Sequence, residues 1–262
     1  MKILIANDDG IFAPGISALA KRLSEEERYE VCVAAPDRER SATGHSLTLH
    51  KPLRVQEVNL WPKVKNAWST TGTPADSVKL AINVLLESKP DLIISGINNG
   101  ANMGTEILYS GTVAAAMVGT FSNIPSIAVS LVREGRHAHF EAAAEFMASF
   151  LDRYDLKELH PRILININIP SLEFDQYKGV AITELGARDY NDWFEHRKDP
   201  RGGNYYWLAG HAIKQGEKET SDVHAVHSDF ISITPVSFQM TDFPAKATLE
   251  KNELLVNLLH GA

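Results

Sequence analysis

The chain has 262 residues, with 26 Lys or Arg against 33 Asp or Glu, which gives a formal net charge of −7. Apolar residues make up 44% and charged residues 23%, a composition typical of a folded globular protein. The acidic balance argues against a nucleic-acid polymer as partner, because such polymers are held by clustered Lys and Arg.

Two features predict a location in the cytoplasm. No apolar run approaches the roughly 20 residues that span a bilayer, so we expect no membrane segment. The apolar stretch among the first residues is too short for the hydrophobic region of a signal peptide. The single cysteine, Cys32, cannot form a disulfide within the chain, as is usual for a reducing compartment. Because it lies between two valines, we interpret Cys32 as a core residue rather than a nucleophile.

Strand and helix patterns alternate through the first half of the chain, which favours parallel strands joined by crossover helices. The predicted core strands are 3–6, 29–35, 92–95, 126–130 and 163–169, and the predicted helices are 16–24, 74–86, 110–119 and 140–151. Residues 47–55 and 67–71 also alternate, and we expect strands there that lie outside the parallel core. Residues 96–104 are predicted to form a Gly- and Asn-rich loop.

Beyond residue 180 the pattern becomes less regular, and we predict a single domain over 1–262 rather than two. Its core would comprise about 1–180 together with a strand at 230–236. Residues 184–225 are predicted to form a long hairpin arm. The tail, 237–262, carries no recognisable motif.

The first candidate loop directly follows the first strand and reads Asn7-Asp8-Asp9-Gly10. In an open parallel sheet, ligands bind at the carboxyl ends of the strands. Two carboxylates with neutral oxygens suit Mg²⁺, Mn²⁺ or Ca²⁺, and the lack of nearby Cys and His disfavours zinc. The alternative is an ordinary Asx turn in which Gly10 supplies a positive φ.

The second loop, residues 36–46, mixes charges with hydroxyls. Ser41 could offer its hydroxyl to a metal, and Arg40 or His45 could meet a phosphate. The alternative is a solvated connection.

The third candidate segment runs from residue 95 to 112. Its glycines allow close approach of a ligand to the backbone, and Asn98, Asn99 and Asn102 supply amides and neutral oxygens. Ser110-Gly111-Thr112 would present free N–H groups and hydroxyls to an anion at a helix start. The sequence contains no P-loop motif, no dinucleotide-binding glycine motif after the first strand, and no serine-hydrolase elbow.

Five motifs, in this order and spacing, resemble the SurE family of stationary-phase survival proteins, which are metal-dependent nucleotidases. They are Asn7-Asp8-Asp9-Gly10-Ile11, Ala35-Pro36-Asp37-Arg38 with Arg40-Ser41, Thr71-Gly72-Thr73-Pro74-Ala75-Asp76, Ser95-Gly96-Ile97-Asn98 with Gly100, Asn102 and Gly104, and Tyr109-Ser110-Gly111-Thr112. The likeness is strong over residues 1 to about 130 and thinner beyond.

The resemblance implies an α/β, Rossmann-like, three-layer fold with a parallel-core sheet and helices on both faces. It also implies an extended β-hairpin and C-terminal elements that build a homodimer or homotetramer. The sequence departs from the family pattern at Glu106, at Ser221 and in the segment 227–230. These departures cast doubt on the oligomer arm and the substrate rim, and they do not affect the proposed metal ligands.

The resemblance further implies one divalent ion per subunit, Mg²⁺ or Mn²⁺, held by Asp8, Asp9, Ser41 and Asn98. The implied reaction is hydrolysis of nucleoside 5′- and 3′-monophosphates, with short polyphosphate as a further substrate, and Asp8 and Asp9 are the catalytic candidates. The candidate phosphate- or substrate-binding residues are Asn98, Asn102, Ser110, Gly111, Thr112, Gly44 and His45.

Mechanistically, a cation is needed because two carboxylates would repel a phosphate. We favour water as the nucleophile over Asp8 or Asp9, because a carboxylate that ligates an ion is less free to attack. His45 is a candidate general acid by position alone. The alternatives are a non-catalytic nucleotide- or anion-binding module on the same fold, and a metal-using glycosyltransferase.

Overall fold

The computed structural model describes residues 1–133, 137–155, 158, 160, 162–187, 190–212 and 217–252. Its strands are β1 (Lys2–Ala6), β2 (Glu30–Pro36), β3 (Val55–Glu57), β4 (Asn66–Thr70), β5 (Leu92–Asn99), β6 (Ser126–Val132), β7 (Ile163–Pro170), β8 (Gly179–Ile182), β9 (Tyr190–Lys198), β10 (Asn204–Ala212) and β11 (Phe230–Ser237). Its α-helices are α1 (Pro14–Ser24), α2 (Pro74–Leu80), α3 (Gly111–Phe121), α4 (Phe140–Arg153), α5 (Asp222–His227) and α6 (Phe243–Glu250). None of the described helices is long and apolar enough to cross a membrane.

Nine strands form one sheet in the order β3-β4-β2-β1-β5-β6-β7-β11-β8. From β4 to β7 all neighbours are parallel, whereas β3 and β11 are antiparallel to β4 and β7 respectively. Parallel strands need crossover connections, which place helices on the sheet faces. The predicted Rossmann-like α/β fold is confirmed.

Alternation along β1 divides the core into two layers. Ile3 and Ile5 pack with α1 and α4 on one face, whereas Leu4 and Ala6 pack with α2 and α3 on the other. Cys32 is 1% exposed in the second layer, so its interpretation as a core residue is confirmed.

Of the predicted helices, α2 and α4 begin at the predicted residue, α3 begins one residue later and α1 begins two residues earlier. Pro14 occupies the first turn of α1, where its missing N–H costs nothing. The Thr73 hydroxyl accepts from Asp76 N, and the Asp76 carboxylate accepts from Thr73 N, which completes a capping box for α2. Ser110 caps α3 by accepting from Val113 N at 3.1 Å. After α2 the chain continues as a π-helical turn, Ala81–Leu85.

Two sequence predictions about the edge of the sheet are wrong. Residues 47–55 are not a strand, since only Val55–Glu57 pairs. Their N–H groups go elsewhere, because Thr48 N donates to the Asp76 carboxylate and Arg54 N donates to Thr71 Oγ1 at 3.0 Å. The strand at 66–70 belongs to the parallel core, because it pairs in parallel with β2.

The prediction of a loop at 96–104 is wrong in its first half. β5 continues to Asn99, pairing with β6 across a register shift between Ser95 and Asn98. The ladder with β6 satisfies the backbone there, and this outweighs the turn preference of Gly and Asn.

The predicted arm at 184–225 divides into two parts. A hairpin of β9 and β10 forms, with register from Asn204 opposite Lys198 to Ala212 opposite Tyr190. The last part instead belongs to the core, because α5 packs on β7 and β11 and its Asp222 is fully buried. Within the tail, α6 forms at 243–250, and residues 253–262 lie outside the described part.

Candidate active site at the carboxyl ends of the strands

The three predicted loops meet at one edge of the sheet. Asp8 and Asp9 follow β1, the segment 37–41 follows β2, and Asn98 and Asn99 end β5. Arg40 N donates to Asp8 O at 2.7 Å, and Asn99 N donates to Asp9 Oδ2 at 2.9 Å. The first loop is therefore bonded directly to both of the others.

Two residues, Gly10 and Asn7, stabilise the turn after β1. Gly10 has φ +99°, and a Cβ there would lie 3.0 Å from the Arg38 carbonyl carbon. The fully buried Asn7 donates from Nδ2 to Gly10 O at 2.9 Å. Its Oδ1 has no hydrogen-bond partner among the described residues. A buried acceptor without a partner is uncommon, and this one belongs to the residue directly before the two carboxylates.

Asp8 is the most strongly perturbed acid of the site. It is 5% exposed, and burial raises its pKa from 3.8 to about 6, despite a hydrogen bond from the Thr112 hydroxyl and with a further rise from the charge of Asp9. Burial likewise raises the pKa of Asp9, which the Asn99 N–H partly offsets and Glu39 reinforces.

The N-terminus of α3 is pressed against Asp8. A Cβ on Gly111 would lie 2.8 Å from Asp8 Cβ and 2.9 Å from Asp8 Oδ2, so only glycine allows this approach. The positive end of the helix dipole and the Thr112 hydroxyl thus face the carboxylate. Thr112, predicted as a phosphate contact, uses its hydroxyl to hold Asp8 instead.

The two neutral metal-ligand candidates, Asn98 and Ser41, differ in their position. Asn98 Nδ2 donates to Gly100 O at 2.9 Å, which commits the amide nitrogen and leaves Oδ1 as the ligand atom. Ser41 is exposed, and its hydroxyl donates to Glu39 Oε1 at 2.6 Å. The structure therefore brings Asp8, Asp9 and Asn98 together through their loops and leaves Ser41 at the outer edge.

The donor set fits a hard divalent cation. Both carboxylates have pKa values raised by burial, and neither is ion-paired with a cationic side chain in the described part of the chain. No cluster of three or more His, Cys, Asp or Glu that could hold a metal occurs among the described residues. Two carboxylates supplemented by neutral oxygens suit Mg²⁺ or Mn²⁺ better than zinc.

The remaining predicted substrate residues divide by role. Ser110 is 7% exposed, and because its oxygen accepts from Val113 N, its O–H can donate to a ligand. Gly44 N donates to Tyr109 O at 3.0 Å, which ties the second loop to the third. The His45 side chain is exposed at one side, and desolvation by neighbouring atoms lowers its pKa, which disfavours a general-acid role at neutral pH.

Asn102 lies in a buried network. Its Nδ2 donates to Ser130 Oγ at 2.7 Å, while its backbone O accepts from the side chains of Asn166 and Asn168. Asp222 accepts from Gly104 N at 2.9 Å at the other end of this segment. The predicted substrate contact thus takes part in fixing the loop that follows Asn98.

Sequence reasoning assigned no role to Asn166, Asn168 or Asp222. A signal existed for the asparagines, because they alternate with isoleucines in β7 and therefore share one face of a buried strand. No comparable signal marked Asp222, since its three backbone donors, Gly104, Gly186 and Val223, come from separate segments.

Removing the charge of Asp8 is expected to stabilise the metal-free protein at neutral pH. The folded pKa of about 6 lies above the usual 3.8, so the ionised form costs the fold on the order of 3 kcal/mol above pH 6. Asp8→Asn removes this cost while keeping an acceptor for Thr112. Chemical denaturation in EDTA should show the variant more stable at pH 8, with the gap closing as the pH falls from 6 to 4. A gap that does not change with pH would contradict this assignment.

Together, the fold and the site define a Rossmann-like α/β protein with an oxygen-rich acidic site at the carboxyl ends of its parallel strands. Residues 3–192 match the family model described as "Survival protein SurE". The chain belongs to the SurE family.

Relatives and a solved structure agree with this membership. The chain is 49% identical over 247 residues to the 5′-nucleotidase SurE of Thermosynechococcus vestitus, covering 92% of each chain. It is 47% identical to the protein of the same name from Natranaerobius thermophilus, covering 93% of this chain and 95% of that one. The crystal structure of the SurE protein from Aquifex aeolicus superposes with a TM-score of 0.81 at 36% identity, covering 95% of this chain and 98% of that one.

Proposed function

We propose that this chain is a metal-dependent nucleotidase that hydrolyses nucleoside 5′-monophosphates to nucleoside and phosphate. The observation that carries the proposal is the pair Asp8 and Asp9, which has no cationic side-chain partner among the described residues. Asp8 is buried beside the N-terminus of α3, and Asp9 is partly exposed. The relatives named 5′-nucleotidase support the same reaction. We extend the proposal to 3′-monophosphates and short polyphosphate, which present the same terminal phosphate.

Asp8, Asp9 and Asn98 would hold one Mg²⁺ or Mn²⁺, with Ser41 as the fourth ligand. When bound, the cation supplies positive charge that offsets the two carboxylates and polarises a phosphate oxygen. Two carboxylates about 4 Å from a phosphate charge would each oppose it by roughly 4 kcal/mol at a surface-like dielectric. The net charge of −7 is thus compatible with an anionic substrate that binds at a single point.

The chain's own groups would orient the phosphate. The O–H of Ser110 and the N–H groups at the start of α3 would donate to its oxygens. Asp8 is held by the hydroxyl of Thr112, and a carboxylate that ligates the cation is less free to attack phosphorus. We therefore propose water as the nucleophile.

A phosphate-release assay tests the proposal. Purified protein is incubated with a panel of 5′- and 3′-nucleotides and triphosphate, with Mn²⁺ or Mg²⁺ and with EDTA as control. Release that depends on the metal and favours nucleotides is the expected result. Nucleotide binding without release would instead establish a binding module, and a requirement for nucleotide sugars would indicate a transferase.

We also propose that the chain forms a homodimer or homotetramer through the hairpin of β9 and β10. A two-stranded hairpin is marginal in water on its own. On the hairpin of β9 and β10, four aromatic side chains are exposed: Trp193 (47%), Phe194 (69%), Tyr206 (60%) and Trp207 (61%). Light scattering should give at least twice the monomer mass of 28.9 kDa, and a monomer would contradict the assignment.

A further inference from the structure

A groove adjoins the proposed metal site. It encloses about 350 Å³ and is bounded on one side by the turn after β1 and on the other by the loop after β2. Its lining residues are Asp9, Gly10, Phe12, Ala13, Pro14, Asp37, Arg38, Glu39 and Asn99. Because Asp9 forms one wall, a phosphate bound at the metal site would lie beside this space. The volume lies within the usual range for small-molecule sites.

The lining of the groove combines an aromatic ring with hydrogen-bond acceptors. Phe12, Ala13 and Pro14 supply the apolar part, and the carboxylates of Asp37 and Glu39 supply acceptors. Nucleobases have apolar faces and most carry N–H donors at their edges, and ribose hydroxyls also donate. The carboxylates of the lining, Asp9, Asp37 and Glu39, outnumber its one guanidinium, that of Arg38, so the groove matches a nucleoside better than a second anion.

Phe12 is held outward by its neighbours. The flanking backbone is fixed, since Ile11 N donates to Pro36 O at 2.9 Å and Ala13 N donates to Gly10 O at 3.0 Å. Ile11 is fully buried, whereas Phe12 is 67% exposed. A single exposed apolar side chain is ordinary, but this one lines a groove that also contains Asp9. Phe12 thus lies beside the site, exposed on a hydrogen-bonded turn.

We propose that Phe12 is the residue on which the base of the substrate stacks, and that it sets the preference for nucleotides over other phosphate monoesters. This inference rests on the proposed nucleotidase function and identifies the base subsite of that site. Phe12 contacts the part of the substrate that does not react, so it acts on binding and leaves the chemical step unchanged.

Comparing a nucleotide with its baseless analogue tests the proposal. Phe12→Ala should raise the KM for AMP about 5- to 150-fold with kcat nearly unchanged, the range measured for loss of one base–aromatic stack. The KM for ribose 5-phosphate, which has no base, should stay the same. Phe12→Tyr should restore the KM for AMP, because it keeps the ring.

Tyr109 provides a matched control. It is 72% exposed, belongs to the third loop and does not line the groove. Tyr109→Ala should leave the ratio of the two KM values unchanged. If Tyr109→Ala changes that ratio and Phe12→Ala does not, the base stacks elsewhere and the proposal is overturned. Equal effects of Phe12→Ala on both substrates would also overturn it, since they would reflect disturbance of the turn.

Calorimetric binding of AMP and ribose 5-phosphate with Mn²⁺ separates this proposal from the proposed function. If the wild type binds AMP without hydrolysing it, and Phe12→Ala weakens only AMP, the nucleotidase function fails while the stacking role stands. If hydrolysis proceeds and Phe12→Ala leaves AMP binding intact, the stacking role fails alone. Binding of neither compound would overturn both.

Discussion

Replacing Asp9 with asparagine is expected to abolish metal-dependent phosphate release while leaving the fold intact. The substitution removes one of two charged ligands but keeps an oxygen that can accept from Asn99 N, as Asp9 Oδ2 does at 2.9 Å. Metal-ion catalysis contributes several kcal/mol, so activity should fall by roughly a thousandfold or more. Phosphate release in saturating Mn²⁺, together with circular dichroism, measures both parts of the prediction.

Asp91→Asn is a suitable control for that variant. Asp91 also accepts a backbone N–H, that of Lys2 at 2.7 Å, but it lies before β5, at the opposite end of the sheet from the site. It should retain wild-type activity. Residual activity of Asp9→Asn close to that of Asp91→Asn would show that the carboxylate pair is not the catalytic centre.

Thr112→Val is expected to lower activity at neutral and acidic pH by about 10- to 100-fold. Thr112 is fully buried and its hydroxyl donates to Asp8. A hydrogen bond to a charged group contributes roughly 1.5–3 kcal/mol, and its loss would raise the pKa of Asp8 above the present value of about 6. Because a cation requires the ionised carboxylate, the acidic limb of the pH–activity profile should move to higher pH.

Two further substitutions make this result specific. Thr112→Ser keeps the hydroxyl and should restore the wild-type profile. Thr120→Val alters another fully buried threonine of α3, whose hydroxyl donates to Met117 O at 2.8 Å, away from the carboxylates. If Thr120→Val moves the acidic limb as far as Thr112→Val does, the effect would come from helix packing rather than from Asp8.

The parts of the fold that were predicted correctly depend on local signals. The uniformly apolar Ile3, Leu4 and Ile5 predicted a strand buried on both faces, and the pattern at Thr73 to Asp76 predicted a capped helix start. Such signals involve neighbours within a few residues. They need no knowledge of distant contacts.

The predictions that were wrong concern partners far apart in the chain. Gly96 and Asn98 are residue types that are common in turns, yet both belong to β5, where Asn98 pairs with Ser130 of β6. Leu49 alternates with polar residues as a strand residue would, but it is 80% exposed. The alternation there does not reflect a buried face. Periodicity in a single sequence cannot distinguish an alternating segment that is buried on one face from one that is exposed.

The sequence predicts where the candidate site lies in the fold, but it does not predict the hydrogen bonds between the residues of the site. Strand ends converge in a parallel sheet, which explains why the loops carrying Asp8, Asp9 and Asn98 meet. The partnership of Thr112 with Asp8 across 104 positions could not be derived from spacing. Likewise, the role of Asn102 depends on Ser130 of β6 and Asn168 of β7, which are distant in the sequence.

The central claim is that this site holds one divalent cation, and anomalous diffraction from a crystal soaked in Mn²⁺ tests it most directly. The predicted result is one peak per chain at the manganese edge, in contact with carboxylate oxygens of Asp8 and Asp9 and with Asn98 Oδ1, and its absence in crystals of Asp9→Asn. A protein whose phosphate release requires Mn²⁺, but whose manganese peak lies away from these residues, would contradict the account.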